Sequence, residues 1–127
     1  MPIFFLDMDI EKTEDYYKNL KSKEICHCAY CQNYVREIKK EYMDLYKYLE
    51  CIGVDIEKPF ETMPLEEKDG YIEYPSVQYI VMGSKESFKE SKVGDVTITL
   101  ADSHPTTDIE GEHFVIEIYP IVLKWTE

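Results

Sequence analysis

Residues 29–52 read AYCQNYVREIKKEYMDLYKYLECI, a stretch with neither glycine nor proline. Within it Cys31, Val35, Ile38, Tyr42, Leu45, Leu49 and Ile52 recur at steps of four and three, the spacing that places side chains on one face of an α-helix. Arg36, Lys39, Lys40, Asp44 and Lys47 fall on the far face, a solvated mixture of charges. Gly53 follows where a left-handed residue ends a helix. One long helix over about 29–52, with a single buried face, is expected.

Toward the N-terminus, Thr13 followed by Glu14 and Asp15 reads as a helix N-cap with an acidic first turn. Tyr16, Tyr17 and Leu20 form an apolar stripe, and Lys18, Lys21 and Lys23 crowd the far end of a short helix that stops near Ser22. Ile3 to Leu6 reads as an edge strand. Toward the C-terminus, residues 54–70 hold Pro59, Pro64 and five acidic groups between Asp55 and Glu67, which makes a loop with one helical turn near Pro64. It closes at Asp69-Gly70, a turn signal.

Beyond Gly70 the period changes to two. Val77, Tyr79 and Val81 alternate with Gln78, Ile80 and Met82; Val96, Ile98 and Leu100 with Thr97 and Thr99; Phe114, Ile116 and Ile118 with Val115, Glu117 and Tyr119. Pro75 and Pro120 stand at strand margins, where a missing N–H is tolerated. No helical pattern separates these strands, so they are antiparallel neighbours rather than βαβ units. The expected fold class is α+β: two N-terminal helices packed on a three- or four-stranded antiparallel sheet formed mainly by residues 71–125, in a single domain spanning 1–127.

Charge restricts the partners. Fourteen Lys+Arg against twenty-six Asp+Glu leave a net charge of −12. The longest basic run, Lys39-Lys40, is answered by Glu37 and Glu41, so nucleic acid and anionic membrane surfaces are disfavoured. The acidity fits a cytosolic chain kept soluble by self-repulsion, and the sharper reading is a partner protein with a basic surface. The opening Met1-Pro-Ile-Phe-Phe-Leu-Asp7 lacks the basic n-region of a signal peptide, and no apolar run reaches the roughly 18 residues of a membrane span. A cytoplasmic, reducing setting is expected, in which thiols serve metal binding or redox chemistry rather than disulfides.

The chemically pointed segment is Cys26-His27-Cys28-Ala29-Tyr30-Cys31, where the long helix begins. Unpaired N–H groups and the helix dipole there favour thiolates, and thiolates so spaced can converge on one ion. Zinc is the natural occupant, and an iron–sulfur cluster takes the same donors. Cys51 is the obvious fourth ligand by type, but a straight helix puts it about 30 Å from Cys31 at roughly 1.5 Å per residue. It is read instead as an ordinary buried thiol. His104, in the polar loop from Ala101 to Asp108, is the preferred fourth ligand beside Cys26, Cys28 and Cys31; His27, His113, a carboxylate or water are the other donors. His113 reads as a plain surface histidine. Alternatively, Cys28-Ala-Tyr-Cys31 is a C-x-x-C pair with thiol-redox use. No P-loop, dinucleotide-binding glycine pattern, nucleophile elbow or H-E-x-x-H zinc motif is present.

Cys28-x-x-Cys31-x-x-Tyr34 opening a helix, followed by Leu49-Glu-Cys-Ile-Gly53-Val-Asp55 and Lys58-Pro59, resembles a family of small uncharacterised bacterial proteins. The resemblance covers roughly residues 26–61, with a fainter echo from Phe114 to Trp125. It implies a bacterial, cytoplasmic setting and conveys no activity. The leading expectation is a non-enzymatic interaction domain with a structural zinc ion. An acidic, immunity-like binder of a basic partner without metal, or a thiol-redox or metal-dependent enzyme using Cys28 and Cys31, are the alternatives. The tyrosine-rich helix allows a dimer interface without requiring one.

Overall fold

A computed structural model describes residues 9–20 and 28–127. The strand expected over Ile3 to Leu6, and Cys26 with His27, lie outside the described residues. The helices are α1 (Ile10–Asn19), α2 (Ala29–Glu41) and α3 (Met43–Cys51). The strands are β1 (Glu61–Met63), β2 (Tyr71–Tyr74), β3 (Ser76–Met82), β4 (Ser91–Val93), β5 (Val96–Leu100), β6 (His113–Tyr119) and β7 (Ile121–Lys124). The class is α+β, as the two periodicities require.

The expected single helix over 29–52 is two. Tyr42 leaves helical geometry, with φ −132° and ψ 57°, and divides α2 from α3. Its amide still bonds to Ile38 O at 3.0 Å and its carbonyl still accepts from Tyr46 at 2.9 Å. What it gains lies across the fold: the hydroxyl donates to Val122 O at 3.2 Å and accepts from Val122 N at 2.9 Å. Gly53 does end the helical run, at φ 84°. In α1 the N-cap is Asp9, whose carboxylate accepts from Lys12 N at 2.9 Å, and not Thr13. Thr13 is buried a turn further in, because its hydroxyl donates to Asp9 O and accepts from Met82 N at 3.0 Å. The helix closes at Asn19 with Leu20 as C-cap, short of Ser22.

The sheet is larger than the three or four strands expected. Five strands pair antiparallel in the order β1-β3-β6-β5-β4, and β2 pairs with β7 in a separate two-stranded sheet. Both edge strands are additions: β4 lies at Ser91–Val93, and β1 comes from the acidic segment read as loop, where no helical turn forms at Pro64. Asp69 and Gly70 both take positive φ, 55° and 83°, which two-residue turns of this kind demand. Pro75 and Pro120 stand between strands as expected, the latter after a cis peptide bond.

All seven residues of β3 are buried, so its alternation does not mark a wet face. Val77, Tyr79 and Val81 meet the helices in the main core with Tyr34, Ile38, Leu45, Leu49 and Ile116. Ile80 and Met82 form a second cluster with Val115 on the other face, covered by Phe60, Ala101 and Ile109. Gln78 lies on that second face, its Nε2 donating to Ser103 O at 2.9 Å.

Helix side chains finish both sheets. Phe60 N donates to Gln78 O at 2.7 Å, so the outward groups of β3 face β1 as far as that strand extends. Past its end, Tyr17 Oη donates to Ile80 O at 2.8 Å and accepts from Ile80 N at 3.0 Å. Asp9 N then donates to Met82 O at 3.0 Å. On β7 the same work falls to Tyr42 at Val122, to Glu41, which accepts from Lys124 N at 3.1 Å, and to Asn33, which holds Lys124 O and Thr126 N. A phenol that donates to a carbonyl and accepts from the N–H of the same residue stands in for a neighbouring strand.

Candidate metal centre at the start of the second helix

Cys28 is the N-cap of α2, with extended backbone at φ −68° and ψ 164°, and its side chain makes no capping bond. Its carbonyl accepts from Gln32 N at 2.9 Å, the first bond of the helix. Cys28 is exposed and Cys31, one turn on, is buried; neither is in a disulfide. Cys31 Sγ lies 3.4 Å from Thr62 Oγ1 of β1, which fixes the inner thiol against the sheet edge.

The surroundings are tied to both the second strand and the chain after β7. Tyr74 Oη donates to Tyr30 O at 2.6 Å, fastening the first turn of α2 to β2. Burial above all raises the Tyr74 phenol, to about 12; the bond with Asn33 opposes this, and the neighbouring Cys31 and Cys28 add to it. Tyr30 packs on Trp125 with ring centroids 5.5 Å apart. Asn33, fully buried, ties the same turn to the chain after β7 through Lys124 O and Thr126 N. Thr62, Tyr74 and Asn33 escaped the sequence reading, since they come from distant segments and carry no local motif.

Of the expected ligand set, Cys28 and Cys31 stand one turn apart at one place. Cys26 precedes them outside the described residues. His104 is elsewhere. It sits in the exposed loop after β5, with Nδ1 2.8 Å from Pro105 O and its ring edge-on to Phe60. The adjoining Ser103 caps Gln78 on one sheet face, whereas Thr62 pairs with Val77, whose side chain faces the helices. Cys31 and His104 therefore approach opposite faces of the sheet. Cys51, expected to be a buried thiol, is exposed at the end of α3. The helix that was to hold it apart is broken, yet Cys51 still forms no group with Cys28 and Cys31. Among the described residues no three His, Cys, Asp or Glu side chains gather as a metal-holding group.

His113 is more constrained than a plain surface histidine. Its Nδ1 lies 2.9 Å from Gly111 O and its Nε2 2.7 Å from Thr107 Oγ1. A carbonyl only accepts, so Nδ1 carries a proton and donates to Gly111 O. The ring pins the loop before β6 and is not presented to a ligand. Among the described residues no helix is long and apolar enough to cross a membrane.

Comparison of the chain with protein-family models, with curated proteins and with solved structures returns no match.

Proposed function

We propose that this chain is a binding domain, working in a reducing compartment such as the bacterial cytoplasm, in which Cys26, Cys28 and Cys31 hold a structural zinc ion. The observation that carries the reading is the position of Cys28 and Cys31: an N-cap thiol and a thiol one turn on, at a helix start clamped to both sheets. Zinc is bound by thiolates in tetrahedral sites, and closing such a site adds folding free energy. The ion would fix the segment that joins α1 to α2. The fourth donor is one that reaches the helix side of the sheet, which favours the adjacent His27 or water over His104.

The acidic surface supports a basic protein as partner. A charge of −12 raises association rates with cationic surfaces and suppresses self-association. Elemental mass spectrometry on protein purified without chelator tests the metal. About one zinc per chain is expected, lost in Cys28→Ser together with a fall in Tm of about 5 °C or more. Cys51→Ser should retain full zinc. Absence of metal with all thiols reactive would overturn the zinc site and leave the acidic binder. Protein isolated with Cys28 and Cys31 oxidised to one another would favour thiol-redox chemistry instead.

A further inference from the structure

We propose that the groove at the joint between α2 and α3 receives an apolar side chain from a partner protein, on a segment whose flanking residues are lysine or arginine. This rests on the binding-domain reading above and says where the basic partner docks. The groove encloses about 580 Å³ between the α2–α3 joint, the β4–β5 turn and the connection from β6 to β7. That lies within the range of about 300–1,000 Å³ usual for ligand pockets.

Its apolar walls come from Tyr42, Met43, Val93 and Val122. Met43 is 49% exposed and Val122 42%, two of the few large hydrophobic side chains left open to solvent. The site is preformed. Tyr42 is held by its two bonds to Val122, and the opposite wall by the tight turn through Gly94 at φ 59°. Met43 supplies an unbranched, polarizable surface that adapts to what enters.

Charge selects the occupant. The rim carries Glu41, Asp44 and Asp95 against Lys40. Lys40 is already paired with the buried Glu37 at 3.2 Å, whereas none of the three rim carboxylates is in an ion pair among the described residues. Glu41 is already engaged at Lys124 N, so Asp44 and Asp95 are the carboxylates that the groove turns to an incoming cation around its apolar floor. A second copy of the chain would bring its own −12 to that rim, which disfavours self-association there. An apolar residue between cations satisfies both features at once.

The test uses the full chain labelled with ¹³C at its methionine methyls, titrated with an acetylated, amidated pentapeptide of one phenylalanine between two pairs of lysines. The Met43 methyl should shift saturably and more than any other. Replacing phenylalanine by serine in the peptide, or raising salt, should weaken the response. Asp44→Lys with Asp95→Lys should weaken it on the order of tenfold, and both positions are on the surface, so folding should survive. Peptide binding that leaves Met43 unmoved would refute the groove while leaving an acidic binder. Binding to no part of the chain would remove both. A Met43 shift that depends on protein concentration without peptide would make the groove a self-interface and overturn the proposal.

Discussion

Tyr34, Tyr79 and Ile56 form a chain of hydrogen bonds whose direction is fixed by chemistry. Tyr79 Oη lies 2.6 Å from Ile56 O, which can only accept, so Tyr79 donates there and Tyr34 donates to Tyr79 at 2.5 Å. Tyr79→Phe strands two buried partners and should cost about 2–3 kcal/mol. Tyr34→Phe strands none and should cost nearer 1 kcal/mol, both read from denaturant midpoints. Gly53 shows a second constraint. At φ 84° an added Cβ would sit 2.6 Å from Ile10 O, in the backbone of α1. Gly53→Ala should therefore destabilise by about 1–3 kcal/mol, by strain and by displacing α1; a neutral result would mean that α1 is loosely docked. Gly53 was legible as a helix stop from its place after Ile52, whereas its second role, admitting α1, depends on a tertiary approach that no local pattern carries.

At the scale of elements, local chemistry and long-range pairing compete, and pairing wins where it satisfies strand edges. The break at Tyr42 follows no glycine or proline. The residue has core spacing in the sequence, yet it gives up helical dihedrals to close the edge of β7. Thr13 looks like an N-cap but is spent on Met82 N, with Asp9 capping instead. β1 was hidden because three residues of a Pro- and acid-rich segment show no period, and only β3 gives them a ladder. The strands around 77–82, 96–100 and 114–119 were legible because each carries its own alternation. Tyr42→Phe should leave the helices intact while the Val122 amide exchanges markedly faster with solvent. Unchanged protection of that amide would show that the phenol does not guard the edge.

For the whole molecule, the tyrosine content becomes a stability signature. Burial chiefly holds the phenols of Tyr17, Tyr34 and Tyr79 well above their ordinary values, because each would lose its hydration on ionising. The unfolded chain releases those protons from about pH 10, and the folded one only at higher pH. The folded state then binds more protons, so stability is intact below about pH 10 and falls as pH rises further, by up to about 1.4 kcal/mol per unit for each phenol. Loss of circular dichroism should coincide with tyrosinate absorbance above pH 10. Complete tyrosine titration near pH 10 with the fold intact would contradict the buried network. The division into helices and antiparallel strands could be read from periodicity, as could the place of Cys28 and Cys31 at the start of a helix. The loop bearing His104 could not be placed, because a polar turn with no period gives no hint of which sheet face it covers.

The zinc site is the claim on which the proposed role turns, and cobalt(II) addition to the reduced, metal-free chain examines it most directly. The account predicts tetrahedral d–d bands in the visible and thiolate-to-cobalt charge-transfer absorption saturating at one equivalent, both sharply reduced in Cys28→Ser and unchanged in His104→Ala. A spectrum without charge-transfer bands, or one that Cys28→Ser leaves intact, would contradict it.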